Sequence, residues 1–281
     1  MRSDEPSRTA MEVAMGRAAA HGRTGVRGYS DPIAARLLPE RYQAALARFE
    51  HPVSLRDRLL GQFVRRVGEY MPLRTVAIDE ALRAAVAEAK QVVILGAGLD
   101  SRAWRMAELS DCIVFEVDHP ATQAYKRPRV AALPIASREV RFVSVDFEKD
   151  SLEAKLAETG HDRMQPTAWI WEGVVMYLRL RTIEATLRTI AGLSAPGSRL
   201  LLHYGAPSLL RWLVGKLLFL VGEPHRSSFT PQHLADLLGR VGFSVLSDEG
   251  GADWARRFSD GPLKLASFAA SQRLAVSQRG A

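Results

Sequence analysis

The sequence predicts an α/β fold, a Rossmann-like doubly wound sheet preceded by a helical cap, and three observations carry that prediction. An apolar run, Gln91-Val92-Val93-Ile94-Leu95, leads straight into the turn Gly96-Ala97-Gly98, which opens a helix. A second run, Cys112-Ile113-Val114-Phe115, ends in Glu116-Val117-Asp118-His119-Pro120 and places two carboxylates where a second strand finishes. Beyond them apolar runs and helical patterns alternate, the signature of a parallel sheet.

The elements follow in order. Residues 1–8 are polar and are expected to form a disordered tail. Residues 9–90 form the N-terminal helical cap, with helices expected at 10–20, 31–38, 40–49, 55–70 and 76–89. Pro39, Pro52 and Pro72 separate them, because a proline ring interrupts helical hydrogen bonding. Residues 91–281 form the core, with strands expected at 92–95, 113–117, 141–145, 168–171, 199–204, 243–246 and 265–269. Helices are expected after Gly98, after His119, after Asp150, and over 181–193 and 231–241. Cap and core are read as a single globular unit.

Composition narrows the function classes. A chain of 281 residues, 47% hydrophobic and 25% charged, can bury one large α/β core. The single cysteine, Cys112, lies inside an apolar run, which excludes an intramolecular disulfide and a Cys-based zinc cluster and fits a reducing cytoplasm. The seven histidines do not fall at metal-ligand spacing, so no metal is expected. No secretory leader is expected, and no stretch reaches the roughly 18 apolar residues of a membrane span. The nearest, 209–221, carries Arg211 and Lys216 and reads as a cap helix, with interfacial membrane contact as the alternative. The net charge of +7 raises nucleic acid as a partner, but the arginines are dispersed among acids and only 7% of residues are aromatic. No nucleic acid is therefore expected, and a nucleic-acid-binding protein stays as an alternative.

The glycine turn suggests the ligand. Glycines let backbone approach a ligand at the carboxyl end of a strand, and the step from Gly98 to Asp118 matches the roughly 20-residue interval at which an acid meets ribose hydroxyls. Dinucleotide sites usually carry a third glycine, so that a pyrophosphate can sit on the helix N-terminus. Here Asp100, Ser101 and Arg102 follow Gly98, and an acid would repel a diphosphate. S-adenosylmethionine has a ribose and an adenine but no phosphate, and it fits better. An NAD-dependent oxidoreductase is the runner-up, and a purely structural turn with solvated loop acids would look the same in sequence.

Ligands of open α/β sheets bind outside the carboxyl ends of the strands, so the polar residues there are the candidates. Gly96, Ala97 and Gly98 would approach the cofactor, and Asp118 would accept both ribose hydroxyls. Asp146 would accept the adenine amino group while Phe147 packs on the purine. Glu172, at the end of an apolar strand, would meet the ammonium of the methionine moiety.

Three phrases, Val93-Ile94-Leu95-Gly96-Ala97-Gly98-Leu99-Asp100-Ser101-Arg102, Glu116-Val117-Asp118-His119-Pro120 and Trp171-Glu172-Gly173-Val174-Val175-Met176-Tyr177-Leu178, resemble the leucine carboxyl methyltransferase family. The likeness is closest to its bacterial branch of S-adenosylmethionine-dependent methyltransferases, some acting in secondary metabolism, and covers about residues 10–257. It implies the class I methyltransferase fold, seven strands with the last two forming an antiparallel edge. It supports Asp118, Asp146 and Glu172 position by position and adds Arg74 as partner of the cofactor carboxylate, with Arg17 a second candidate. It also implies substrate-covering structure at about 205–229, where Leu209, Trp212, Leu213, Leu217 and Phe219 suggest an apolar lid over a hydrophobic small molecule. The same residues could pack a helix onto the sheet.

Methyl transfer from a sulfonium is an in-line displacement in which the protein aligns a nucleophile and excludes water. An ionised carboxylate needs no base, whereas an alcohol does. Candidate bases are His203 and Tyr204 at the end of the fifth strand, with His119 and His225 behind them. Departures from the family's eukaryotic members around the lid argue against their substrate, a protein C-terminal carboxylate. The expected reaction is O-methylation of a small biosynthetic intermediate, carboxyl ahead of hydroxyl.

Overall fold

The computed structural model describes residues 8–50, 70–147, 149–207, 226–260 and 271–280. The helix expected at 55–70 (Tyr70 apart), the strand expected at 265–269, most of the expected lid and His225 lie outside these residues.

A seven-stranded sheet runs in the order β3-β2-β1-β4-β5-β7-β6. Its strands are β1 (Gln91–Leu95), β2 (Ile113–Asp118), β3 (Glu139–Ser144), β4 (Thr167–Trp171), β5 (Arg199–Gly205), β6 (Phe243–Gly250) and β7 (Gln272–Arg279). The first five are mutually parallel, and β7 pairs antiparallel with both β5 and β6. Every residue of β1 and of β4 is buried, which is why both read as unbroken apolar runs rather than alternating ones. The strand order reverses between β1 and β4, and the carboxyl ends of these two strands form the switch point at which such sheets bind ligands.

The edge differs from the expectation. β6 continues to Gly250 through a register shift between Val245 and Ser247. The strand at Gln272–Arg279 was not expected: its sequence, Gln-Arg-Leu-Ala-Val-Ser-Gln-Arg, starts and ends polar, and only pairing on both sides defines it.

Helices cover both faces. On one, α1 (Arg8–Ala20), α2 (Ala34–Leu37), α3 (Glu40–Glu50) and α4 (Tyr70–Val86) share a core with Val92, Ile94, Val114, Ile170 and Leu201. α4 is buried on nearly every side because it lies between the sheet and other helices, including α10 (Gly251–Phe258). A four-residue helix, α5 (Arg102–Arg105), follows the glycine turn, and α6 (Pro120–Val130) follows β2. His119 caps α6 by accepting from the Ala121 N–H at 3.2 Å, with Pro120 in the first turn, where a missing N–H does no harm. The opposite face carries α7 (Leu152–Glu158), α8 (Leu180–Gly192) and α9 (Pro231–Arg240). Ile183, Leu187 and Ile190 of α8 and Leu234, Leu237 and Leu238 of α9 form apolar stripes against Val93, Leu95, Trp169 and Leu202. No helix among the described residues is long and apolar enough to cross a membrane.

Candidate active site

The turn after β1 has the geometry that its glycines suggest. Gly96 has φ +67° and Gly98 has φ +52°, the left-handed region that side chains disfavour. A Cβ at Gly96 would stand 2.5 Å from Val174 Cγ2, and one at Gly98 would stand 2.9 Å from Ala10 Cβ. The Gly96 and Ala97 N–H groups donate to the Val117 carbonyl at 2.9 and 3.0 Å, pinning the turn to the end of β2. Asp118 completes the link by accepting from the Gly98 N–H and, at 2.6 Å, from the His119 N–H. Burial pushes its carboxyl above the ordinary range, and those two backbone donors oppose the shift.

At the end of β4, Glu172 lies between two arginines. Its Oε1 is 2.7 Å from Arg74 of α4 and its Oε2 2.9 Å from Arg102 of α5. Burial alone would raise its pKa, but Arg74 and Arg102, with His203 and Arg17 farther off, outweigh burial and hold it well below the usual range. Arg102 also donates Nε to Asp79 at 2.7 Å and bonds to Asp100. Asp79 is forked by Arg105 at 2.7 and 3.0 Å. Ser101 donates to Asp31 at 2.7 Å, and Asp31 faces Arg17 at 3.5 Å. The network thus sets four arginines (Arg17, Arg74, Arg102, Arg105) against four carboxylates (Asp31, Asp79, Asp100, Glu172), the balance that enclosed charges require.

The expected residues therefore divide. Gly96, Ala97, Gly98, Asp118, Arg74 and Glu172 meet at the switch point. Arg17 donates to the Leu99 carbonyl behind the turn. Asp146 follows β3 and pairs with Lys149 at 2.7 Å, and Phe147 beside it is 56% exposed. His203 and Tyr204 are separated, because successive side chains of a strand point to opposite faces. His203 faces α4, where its Nε2 meets the Tyr70 hydroxyl at 2.8 Å. Tyr204 belongs to the other core, and its hydroxyl donates to Asp248 of β6 at 2.6 Å. His119 is occupied as a helix cap.

Sequence reasoning missed Tyr70, Asp31, Asp79, Arg102, Arg105 and the pair Glu116–Lys126. Glu116 lies on the same face of β2 as Asp118, and the Lys126 ammonium of α6 touches both its oxygens at 2.6 and 2.7 Å, both side chains 1% exposed. The available signal was a period: Glu116 and Asp118 are two apart on one strand, so both point into the protein.

A model of the leucine carboxyl methyltransferase family matches residues 10–191, well over half of the chain. The chain belongs to that family. Among relatives, a Mycolicibacterium smegmatis protein named for S-adenosyl-L-methionine-dependent methyl transfer is 38% identical over 178 residues, 62% of this chain and 58% of its own length. One from Streptomyces coelicolor is 42% identical over 147 residues, 50% of this chain and 46% of its own. The chain spans about half the length of these curated relatives. Among solved structures, a methyltransferase-type protein of Thermobifida fusca superposes with a TM-score of 0.61 at 17% identity, covering 100% of this chain and 97% of the other. The methyltransferase SibL superposes at 0.51 with 15% identity, covering 98% and 70%. Both show the same fold, that of class I methyltransferases.

Proposed function

We propose that this member of the leucine carboxyl methyltransferase family is an S-adenosylmethionine-dependent O-methyltransferase acting on a small biosynthetic intermediate. The observation that carries the reading is the convergence of the glycine turn, Asp118, Arg74 and Glu172 at the switch point of the sheet. Two features fit that cofactor: the tight turn that Gly96 and Gly98 make at positive φ, and buried N–H groups on Arg74 and Arg102 with no partner among the described residues.

In this reading Asp118 accepts the ribose hydroxyls, Glu172 the ammonium and Arg74 the carboxylate, while Asp146 and Phe147 hold the adenine. When bound, the cofactor supplies a methyl group already activated on sulfur. The protein's work is then to fix both reactants and exclude water. NAD suits the turn less well, because Asp100 accepts the Arg102 N–H at 2.7 Å and so occupies the helix start that a diphosphate would need.

A carboxyl acceptor is favoured over a hydroxyl. Tyr70 already bonds His203, and Asp248 already accepts from Tyr204, which supports a reaction needing no base. The substrate is read as hydrophobic because the family resemblance implies substrate-covering structure at about 205–229, a stretch rich in apolar residues. The test is methyl transfer to a panel of lipophilic acids and phenols. Methyl esters, which mild alkali cleaves, and a rate flat across neutral pH are expected. Alkali-stable ethers with a rate rising with pH would move the assignment to a hydroxyl acceptor.

A further inference from the structure

Two buried guanidinium groups flank Glu172, and each keeps an N–H with no hydrogen-bond partner among the described residues. Arg74, 5% exposed, gives Nη2 to Oε1, and its Nε has no hydrogen-bond partner among the described residues. Arg102, 0% exposed, gives Nη1 to Oε2 and Nε to Asp79, and its Nη2 has none among the described residues. A buried charged donor without an acceptor bears the full loss of its hydration. Arg102 is also unable to turn away. Asp79 and Asp100 grip two edges of its planar fork, and Asp79 is itself clamped by Arg105.

We propose that Arg102 determines specificity for the amino-acid end of the cofactor: its Nη2 and the Nε of Arg74 together receive the α-carboxylate, while Glu172, held between the same arginines, receives the ammonium. The inference rests on the S-adenosylmethionine reading above. The surrounding network is balanced, so a ligand carrying one charge would leave it unbalanced. A zwitterion adds an anion to the arginines and a cation to Glu172 with no net change. Lysine could not replace Arg102, because its donors radiate from one point and cannot serve Asp79, Glu172 and a ligand in one plane.

The experiment is calorimetric titration with three probes that share the adenosine: S-adenosylhomocysteine, with both charges; its decarboxylated analogue, with the ammonium alone; and 5′-methylthioadenosine, with neither. The wild type is expected to prefer S-adenosylhomocysteine to the decarboxylated analogue by about tenfold or more, the worth of a hydrogen-bonded ion contact. Arg102→Lys should erase most of that preference and leave 5′-methylthioadenosine affinity within about twofold of the wild type, given an undisturbed nucleoside site. A wild type that binds both charged probes equally overturns the proposal. So does a variant that weakens all three alike, which would mark Arg102 as merely structural, or one that weakens both charged probes alike, which would place its effect on the ammonium. Should Arg102→Lys not fold, the charge-balanced Arg102→Gln/Asp100→Asn pair carries the same test. A wild type that binds none of the three removes the cofactor reading, and the proposal with it.

Discussion

Glu116 and Glu172 are both enclosed glutamates paired with cations on the helix-cap side of the sheet, yet burial resolves in opposite directions at the two. Glu116 in β2 meets one ammonium, Lys126, and burial wins, pushing its pKa up to about 7. Glu172 meets two guanidinium groups, and they hold it well below the ordinary range. Losing water penalises both carboxylates, so the number of cations and the fit of their donors decide the outcome. The first glutamate sits two residues before Asp118, inside a strand. The second is at a strand end, where a ligand can reach it.

Removing Glu172 tests the contrast most severely. Glu172→Ala strands Arg74 and Arg102, and should cost about 3–5 kcal/mol in urea denaturation and abolish S-adenosylhomocysteine binding by calorimetry. A folding loss below about 1 kcal/mol would show that the arginines find other partners.

Removing the cation of the other pair should give a loss that depends on pH. Because the folded pKa of Glu116 lies above its unfolded value, its contribution to stability is full below about 4.5 and is lost as pH rises through about 7. Lys126→Met should therefore lose about 3–5 kcal/mol at pH 8 and distinctly less at pH 6, where Glu116 takes up a proton. Glu172 behaves inversely, its contribution present above 4.5 and lost as pH falls below that value. An equal loss for Lys126→Met at both pH values would remove the contrast.

Asp118, on the same face of β2 as Glu116, is the next target. Asp118→Asn should weaken S-adenosylhomocysteine by about ten- to a hundredfold, the range for hydrogen bonds to a charged group. Unchanged affinity would take Asp118 out of the site. The smallest expected effect is at the turn: Gly98→Ala, with φ +52° and Ala10 2.9 Å away, should cost about 1–2 kcal/mol of folding stability, read by urea denaturation.

Legibility of the site in the sequence followed the reach of each interaction. Asp118 could be picked out because a strand, a glycine turn and a second strand stand at a fixed interval in the chain. Glu172 was placed at its strand end and the resemblance brought Arg74 to the same site, but the pairing of Glu172 with Arg102, 70 residues away, was not foreseen. Tyr70 escaped notice because its partner His203 is 133 residues distant. His203 and Tyr204, the two candidate bases, fall on opposite faces of β5, as alternation along a strand requires.

By itself, then, the chain determined its elements: the apolar runs of β1 and β4, the stripes of α8 and α9, the cap at His119, and the turn that only glycines can make. These depend on residues a few positions apart, where periodicity and backbone preference act. The tertiary structure decided the company each charge keeps, the direction in which each buried carboxyl titrates, and the pairing that makes a strand of Gln272–Arg279. Those follow from which distant segments the sheet order brings together, and an electrostatic interaction in an enclosed site depends on that distance and burial, not on position along the chain.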